Sequence, residues 1–403
     1  MKCSSVQGWR RACVAVAAAG MLVGPVSAGV AYGAPSPDPS ASSPAAGAFP
    51  QLTPEVSARL DAAIQKVMRE TQVPGVTVGL WAPGKGSYVR SFGTADKATG
   101  APMQPDLNMR IGSETKTFTV TALLRLVDEG KVGLDDPIGK YIGGVPDGDR
   151  ITLRELAGMR SGLFNYSEDP DFDKAVTSDP QRPFTPQELL DYSFKHPVGF
   201  PPGAQFEYSN TNLILVGLVV EKVSGVPLNQ YIDQNVVRPA GLTRTLFPTG
   251  TEFPDPHARG YTNQTATGRV EDATNWDPSW AWAAGAMISD LQDLRSWART
   301  VATGTLLTPA TQAQRLATGS TGVPGAGYGL GIFNVQGWIG HNGSLPGYES
   351  LAIYLPEAQA TLVVLLNTDI LHNQQEPSTL FGQAVTGVVT PGSVFYLPVG
   401  AGR

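Results

Sequence analysis

The chain has 403 residues, of which 41% are hydrophobic and 16% charged, with 29 Lys and Arg against 35 Asp and Glu. This length buries a large core, and 46 Gly with 33 Pro predict many turns and long loops without the composition of disorder. An acidic balance of this kind excludes nucleic acid as an expected partner.

In chain order, Lys2, Arg10 and Arg11 make a positive start, residues 12–26 are apolar, and small residues offer cleavage after Ala28 or Gly33. Residues 1–33 therefore read as a secretory signal peptide, with Arg10-Arg11 leaving both Sec and twin-arginine export open. The apolar run is shorter than the roughly 20 residues of a span, so no stable membrane span is expected after cleavage. The mature protein is expected to be secreted, extracellular or associated with the cell wall. Both cysteines, Cys3 and Cys13, fall in this segment, so no disulfide, cysteine nucleophile or thiolate metal site is expected in the mature protein. Without the three early cations, 26 basic residues face 35 acidic ones.

Residues 34–52 are rich in Pro, Ser and Ala and read as a linker. From Thr53-Pro54-Glu55, apolar residues at 56, 60, 64 and 67 predict a helix. Segments 75–81 and 87–92, around Pro83-Gly84-Lys85-Gly86, predict a β-hairpin; 350–355 and 361–366 predict a second strand pair. A sheet built from both ends of the chain would enclose a mainly helical lobe at about 130–290. The folded domain is expected over 53–390 and a tail over 391–403.

Within this frame, Ser113-Glu114-Thr115-Lys116 puts a hydroxyl and an amine at i and i+3, on one face if helical. No other lysine has a serine three residues before it. A desolvated lysine beside a serine can take its proton and make it a nucleophile. Apolar residues at 118, 122, 123 and 126, closed by Gly130, predict a buried helix after Ser113. Its N-terminus favours developing negative charge.

Two more polar triplets lie at the edges of apolar segments. Tyr208-Ser209-Asn210 precedes the apolar residues 213–223, and His341-Asn342-Gly343-Ser344 sits on a strand edge near a turn. Tyr261-Thr262-Asn263 and Lys131-Val132-Gly133 repeat part of these letters. Gly-x-Ser-x-Gly, His-Glu-x-x-His and phosphate-binding glycine loops do not occur.

Ser-x-x-Lys, Tyr-x-Asn and His-x-Gly in this order resemble the penicillin-recognising serine hydrolases. The branch resembled holds class C β-lactamases, secreted D-alanyl-D-alanine carboxypeptidases, esterases and D-aminopeptidases. Residues 126–131, 160–163, 208–212, 284–289 and 328–331 are similar to segments of a secreted carboxypeptidase. The resemblance implies an α+β fold, β-lactamase/DD-peptidase-like, with an antiparallel sheet from both chain ends flanked by helices, beside a mainly helical lobe. It implies that Ser113 is the nucleophile, that Lys116 activates it or tunes Tyr208, and that Tyr208 passes the proton toward the leaving amine. Asn210 would contact the substrate amide and His341 the opposite wall. The backbone N–H groups of Ser113 and Ser344 would form the oxyanion hole, with Gly343, Asn342 and Trp280 binding substrate. No metal or other cofactor is implied.

The implied reaction is acyl-enzyme hydrolysis of a small peptide, β-lactam or ester, foremost D-alanyl-D-alanine carboxypeptidase action on peptidoglycan stems. A class C-like β-lactamase, an esterase or D-aminopeptidase, and a non-hydrolysing penicillin- or cell-wall-binding protein are the alternatives. Two departures from the pattern stand out. Carboxypeptidases of this branch carry an arginine shortly after Gly-Leu-Gly, where this chain has Ile332-Phe333-Asn334. A phenyl ring cannot pair with a carboxylate. Asn342 stands where threonine is common.

Overall fold

The computed structural model describes residues 49–398, so the expected signal segment and most of the expected linker lie outside the described residues. Helix α1 (Pro54–Thr71) begins where the sequence signals it: the Thr53 hydroxyl accepts from Val56 N, Pro54 opens the first turn, and Leu60, Ile64 and Val67 are buried. Strands β1 (Gly75–Ala82) and β2 (Gly86–Asp96) form the hairpin, and every residue of β1 is buried.

The main sheet continues with β3 (Ala101–Pro102), β4 (Gly319–Ser320), β5 (Ala326–Tyr328), β6 (Phe333–Val335), β7 (Trp338–Leu345), β8 (Tyr348–Leu355) and β9 (Ala360–Leu366). Its spatial order is β3-β2-β1-β9-β8-β7-β6-β5-β4. The two chain ends meet where β1 pairs antiparallel with β9, Val76 opposite Leu366 and Trp81 opposite Thr361. Helix α1 packs on the last helix, α5 (Pro377–Val389), while α4 (Leu291–Thr303) packs against β1, β7, β8 and β9.

Helix α2 (Thr115–Asp128) is buried almost all round, although it carries four threonines in its first seven residues. Each hydroxyl has a partner, which is what lets a polar, β-branched stretch be buried. Thr115 accepts from Met287 N, Thr117 donates to Glu114 O, Thr119 to Ala283 O and Thr121 to Thr117 O. Trp297 of α4 stacks on Phe118 at 3.9 Å and donates to Thr117.

Between 130 and 290 lie helices at Leu153–Ala157, Pro170–Ser178, Pro186–Phe194, α3 (Asn210–Ser224) and Leu228–Ile232. Two short ribbons interrupt them, one pairing Met109–Arg110 with Ile288–Ser289 and one pairing Tyr261–Thr262 with Glu271–Asp272. Among the described residues no single helix is long and apolar enough to cross a membrane.

Two expected boundaries move. Residues 391–398 are not a loose tail: Phe395 and Leu397 are buried in the core, Phe395 N donates to Thr386 Oγ1 and Trp338 donates to Ser393 O. The end of the expected linker also belongs to the domain, since Phe49 is buried and Leu52 N bonds Lys85 O.

Candidate active site

Ser113 lies in a tight turn, Gly112–Glu114, that runs directly into α2. Two glycines bring this turn against β7. Gly112 has φ +50°, and a Cβ there would come within 2.5 Å of Ser344 N; a Cβ on Gly343 would overlap Ile111 O. Gly343, expected to bind substrate, thus serves close backbone approach. Gly343→Ala is expected to displace the Ser113 turn and to lower the burst of acylation by a nitrophenyl ester by about 10²-fold, the usual cost of a 1 Å misplacement.

Lys116 Nζ lies 2.8 Å from Ser113 Oγ and 2.7 Å from the Ala284 carbonyl, which accepts its second hydrogen bond. Its side chain is fully buried, and this desolvation holds its pKa well below the ordinary lysine value. Burial thereby favours loss of the ammonium proton, and the deprotonated amine has a lone pair to offer Ser113. Glu114, next to the serine, is buried too, and burial pushes its carboxyl well above the usual range.

Tyr208 packs its ring 4.8 Å from Lys116 Nζ. Burial, followed by Tyr328, raises its pKa well above the ordinary phenol value, while Ser113 acts in the opposite sense as a hydrogen-bonding neighbour. The hydroxyl nevertheless makes no well-formed hydrogen bond. A long or poorly angled contact to Ser113 satisfies both facts, and such contacts tighten when substrate closes a site.

His341 faces this group from β7, its ring 6.2 Å from that of Tyr208. Burial, then Lys116, pulls its pKa down to about 3 against the opposing bond to Asn342, so it is neutral at physiological pH. Both nitrogens are committed: Nδ1 donates to the Asn342 carbonyl at 2.5 Å, and Nε2 accepts from the Tyr328 hydroxyl at 3.2 Å. It forms a neutral wall, with no nitrogen left over to act as a base. The strand edge expected here is real in one sense. Strand β7 is interior to the sheet, but β6 pairs only with residues 338–340, leaving 341–345 open on that side.

Asn210 is the first residue of α3, its amide Nδ2 donating to Ser167 Oγ at 3.1 Å and its backbone N–H to Asn165 Oδ1 at 3.0 Å. Ser113, Asn210 and Ser344 are each half-buried between buried neighbours. Trp280 belongs to an aromatic cluster around Phe172. Its ring packs near Phe172 at 6.0 Å and its carbonyl accepts from Tyr166, which in turn acts on Tyr208. Asn342 turns its amide to Glu376 at 2.7 Å. Phe333 is buried, 4.9 Å from the His341 ring and edge-on to Tyr328.

The repeated letters separate in space: the Tyr261 hydroxyl accepts from Lys97 N, and Lys131 is a surface residue paired with Glu129. A surface groove lined by residues 318–320 and 322–327 with Asn334, Gln336 and Gly337 includes none of the residues around Ser113 and no titratable side chain. Among the described residues no three His, Cys, Asp or Glu side chains converge as a metal site. Sequence reasoning did not single out Asn165, Ser167, the Ala284 carbonyl, Tyr328 or Glu376. Ala284 and Tyr328 lie in segments the resemblance covers, and that was their only signal.

The family described as Beta-lactamase matches residues 60–379. A D-stereospecific amidohydrolase from Streptomyces sp. is 31% identical, with a TM-score of 0.75 over 84% of this chain and 99% of that one. The D-amino acid amidase of Ochrobactrum anthropi SV3, solved with D-phenylalanine, is 28% identical, with a TM-score of 0.73 over 83% and 99%. Protein flp of Staphylococcus aureus is 26% identical over 335 residues, 79% of this chain and 64% of its own length. The chain thus spans less than two-thirds of the length of that curated relative. With the fold, the ordered motifs and this match in agreement, the chain belongs to the Beta-lactamase family and is one of the penicillin-recognising serine hydrolases.

Proposed function

We propose that the protein is an exported amidohydrolase that forms an acyl-enzyme at Ser113 on amides and esters of D-amino acids. The observation that carries the chemistry is the fully buried Lys116 amine 2.8 Å from Ser113 Oγ, its pKa held well below the ordinary lysine value by desolvation. Ser113 Oγ attacks the substrate carbonyl carbon as its proton passes to Lys116. Backbone N–H groups of Ser113 and Ser344 receive the oxyanion, a role consistent with Ser344 N lying against Gly112. Tyr208 donates a proton to the leaving nitrogen, Asn210 holds the substrate amide, and water then releases the acyl group.

The substrate class rests on the two D-selective relatives and on Phe333. The D-alanyl-D-alanine carboxypeptidase reading shares the same acyl-enzyme and adds a clamp for a free carboxylate, and a phenyl ring buried against His341 supplies none. Export rests on residues 1–33 alone, and peptidoglycan as a natural target rests on export.

Intact-mass analysis with D-phenylalanine amide, its L-enantiomer, a nitrophenyl ester, a penicillin and a D-Ala-D-Ala peptide tests this. The ester should add its acyl group at Ser113, the D-amide should turn over at least about 10²-fold faster than the L-amide, and Ser113→Ala should do neither. Equal hydrolysis by Ser113→Ala would sink the mechanism. A long-lived penicillin adduct with preferred cleavage of D-Ala-D-Ala would replace the amidase by the carboxypeptidase.

A further inference from the structure

The turn that carries Ser113 begins at Ile111, whose side chain has no oxygen with which to cap it and makes no capping bond. The Ile111 carbonyl accepts from Glu114 N at 3.2 Å, the long end of the normal range. A second donor reaches the same carbonyl from the sheet: Ser350 Oγ, on β8 and fully buried, donates to Ile111 O at 2.9 Å. Ser350 stands directly opposite Gly343 in the register of β7 and β8. A Cβ on Gly343 would overlap Ile111 O and lie 2.7 Å from Ser350 Oγ, so the missing side chain leaves the gap that this bond crosses.

Only Gly112 separates the Ile111 carbonyl from the Ser113 N–H. At φ +50° a Cβ on Gly112 would press on Ser344 N, and the glycine that avoids this has the widest backbone freedom of any residue. The chain is gripped just ahead of that pivot: Ile111 N donates to Met287 O at 3.0 Å, and Ser350 holds the Ile111 carbonyl. Ser350 also lies on the strand that pairs with β7 from Ile339 to Leu345, the segment carrying Ser344. One hydroxyl thus ties the backbone before Ser113 to the ladder that fixes Ser344.

We propose that Ser350 is a positioning residue for the oxyanion hole: through Ile111, its hydroxyl sets the spacing of the Ser113 and Ser344 N–H groups that receive the tetrahedral oxyanion. The inference rests on the acyl-enzyme reading of Ser113, with those two N–H groups as the donors. Ser350 acts through Ile111 and not on the substrate. Donors moved out of place stabilise the tetrahedral state less while leaving ground-state binding almost unchanged, so the loss falls on turnover.

The test compares Ser350→Ala and Ser350→Thr with the wild type, active sites being counted by the nitrophenyl ester adduct at Ser113. Per active site, Ser350→Ala is expected to lower kcat for D-phenylalanine amide by about 10–10²-fold, with KM changed by no more than about threefold. Phenylboronic acid accepts Ser113 Oγ at boron as the hydroxyl proton passes to Lys116, and so becomes a tetrahedral anion. Its affinity should fall by a similar factor, whereas that of D-phenylalanine, whose carboxylate is planar, should hold. Ser350→Thr keeps the hydroxyl and should restore most of both losses. The ratio of the two affinities is taken within one protein, so partial loss of folded enzyme cancels. If Ser350→Ala does not fold, Ser350→Cys, whose thiol is a weak donor, takes its place with the same outcomes. An unchanged ratio in the variant without the hydroxyl, or an equal loss in Ser350→Thr, overturns the proposal. A wild-type ester adduct with unchanged ratios defeats this inference alone, whereas no adduct in the wild type removes the acyl-enzyme reading and this inference together.

Discussion

Replacing Lys116 by Met is expected to lower kcat/KM for amides and esters alike by at least about 10³-fold, because Ser113 loses the base that takes its proton in acylation. In the wild type the acid limb of the kcat/KM profile should report protonation of Lys116 and fall well below the ordinary lysine range, since burial lowers its pKa. The same shift predicts a stability signature. Between the lowered folded pKa and the unfolded value near 10.5, the unfolded chain carries a proton that the folded protein does not. Wild-type stability therefore rises with pH across that window, whereas Lys116→Met lacks this contribution. Thermal unfolding of both proteins from pH 7 to 10 should show the wild type gaining on the variant. A parallel course would mean that Lys116 is charged in the folded state, and the base would have to be sought elsewhere.

The parts of the fold legible in the sequence were those with a strong local period. Strands β1, β8 and β9 are wholly buried, mainly apolar segments bounded by turn residues, α1 carries a start signal, and both α1 and α2 have helical spacing. Strands β4 to β6 are two or three residues long and lie in a Gly-rich stretch, so they have no period to read, and the nine-stranded extent of the sheet was missed. Phe395 and Leu397 are isolated apolar residues whose burial depends on α5 and Trp338 being in place. The site divides in the same way. Ser113 and Lys116 are neighbours on one turn, so their spacing showed their chemistry. Ala284 joins Lys116 across 168 positions, Ser167 joins Asn210 across 43, and Glu376 joins Asn342 across 34. Contacts made only by tertiary packing leave no periodic trace, and Glu376 in particular belongs to no motif.

Tyr208→Phe is expected to separate amide from ester chemistry. The Tyr208 pKa is raised chiefly by burial, then by Tyr328, so the hydroxyl holds its proton at neutral pH and is an acid in the resting enzyme. With Lys116 as the base beside the nucleophile, a second base is superfluous, and what amide cleavage still needs is a proton for the departing nitrogen. A nitrophenolate leaves without one. Loss of the hydroxyl should therefore lower kcat/KM for D-phenylalanine amide by about 10²–10⁴-fold, the range of a general acid, while acylation by the nitrophenyl ester falls by no more than about tenfold. The same conservative change leaves the ring in place over Lys116, so the ester serves as an internal control for the assembled site. If both substrates fell equally, Tyr208 would be acting on Ser113 itself, and Lys116 would be its partner through the ring contact instead of the base. Unequal loss assigns the two proton transfers to two residues: Lys116 receives from Ser113, and Tyr208 gives to the leaving group.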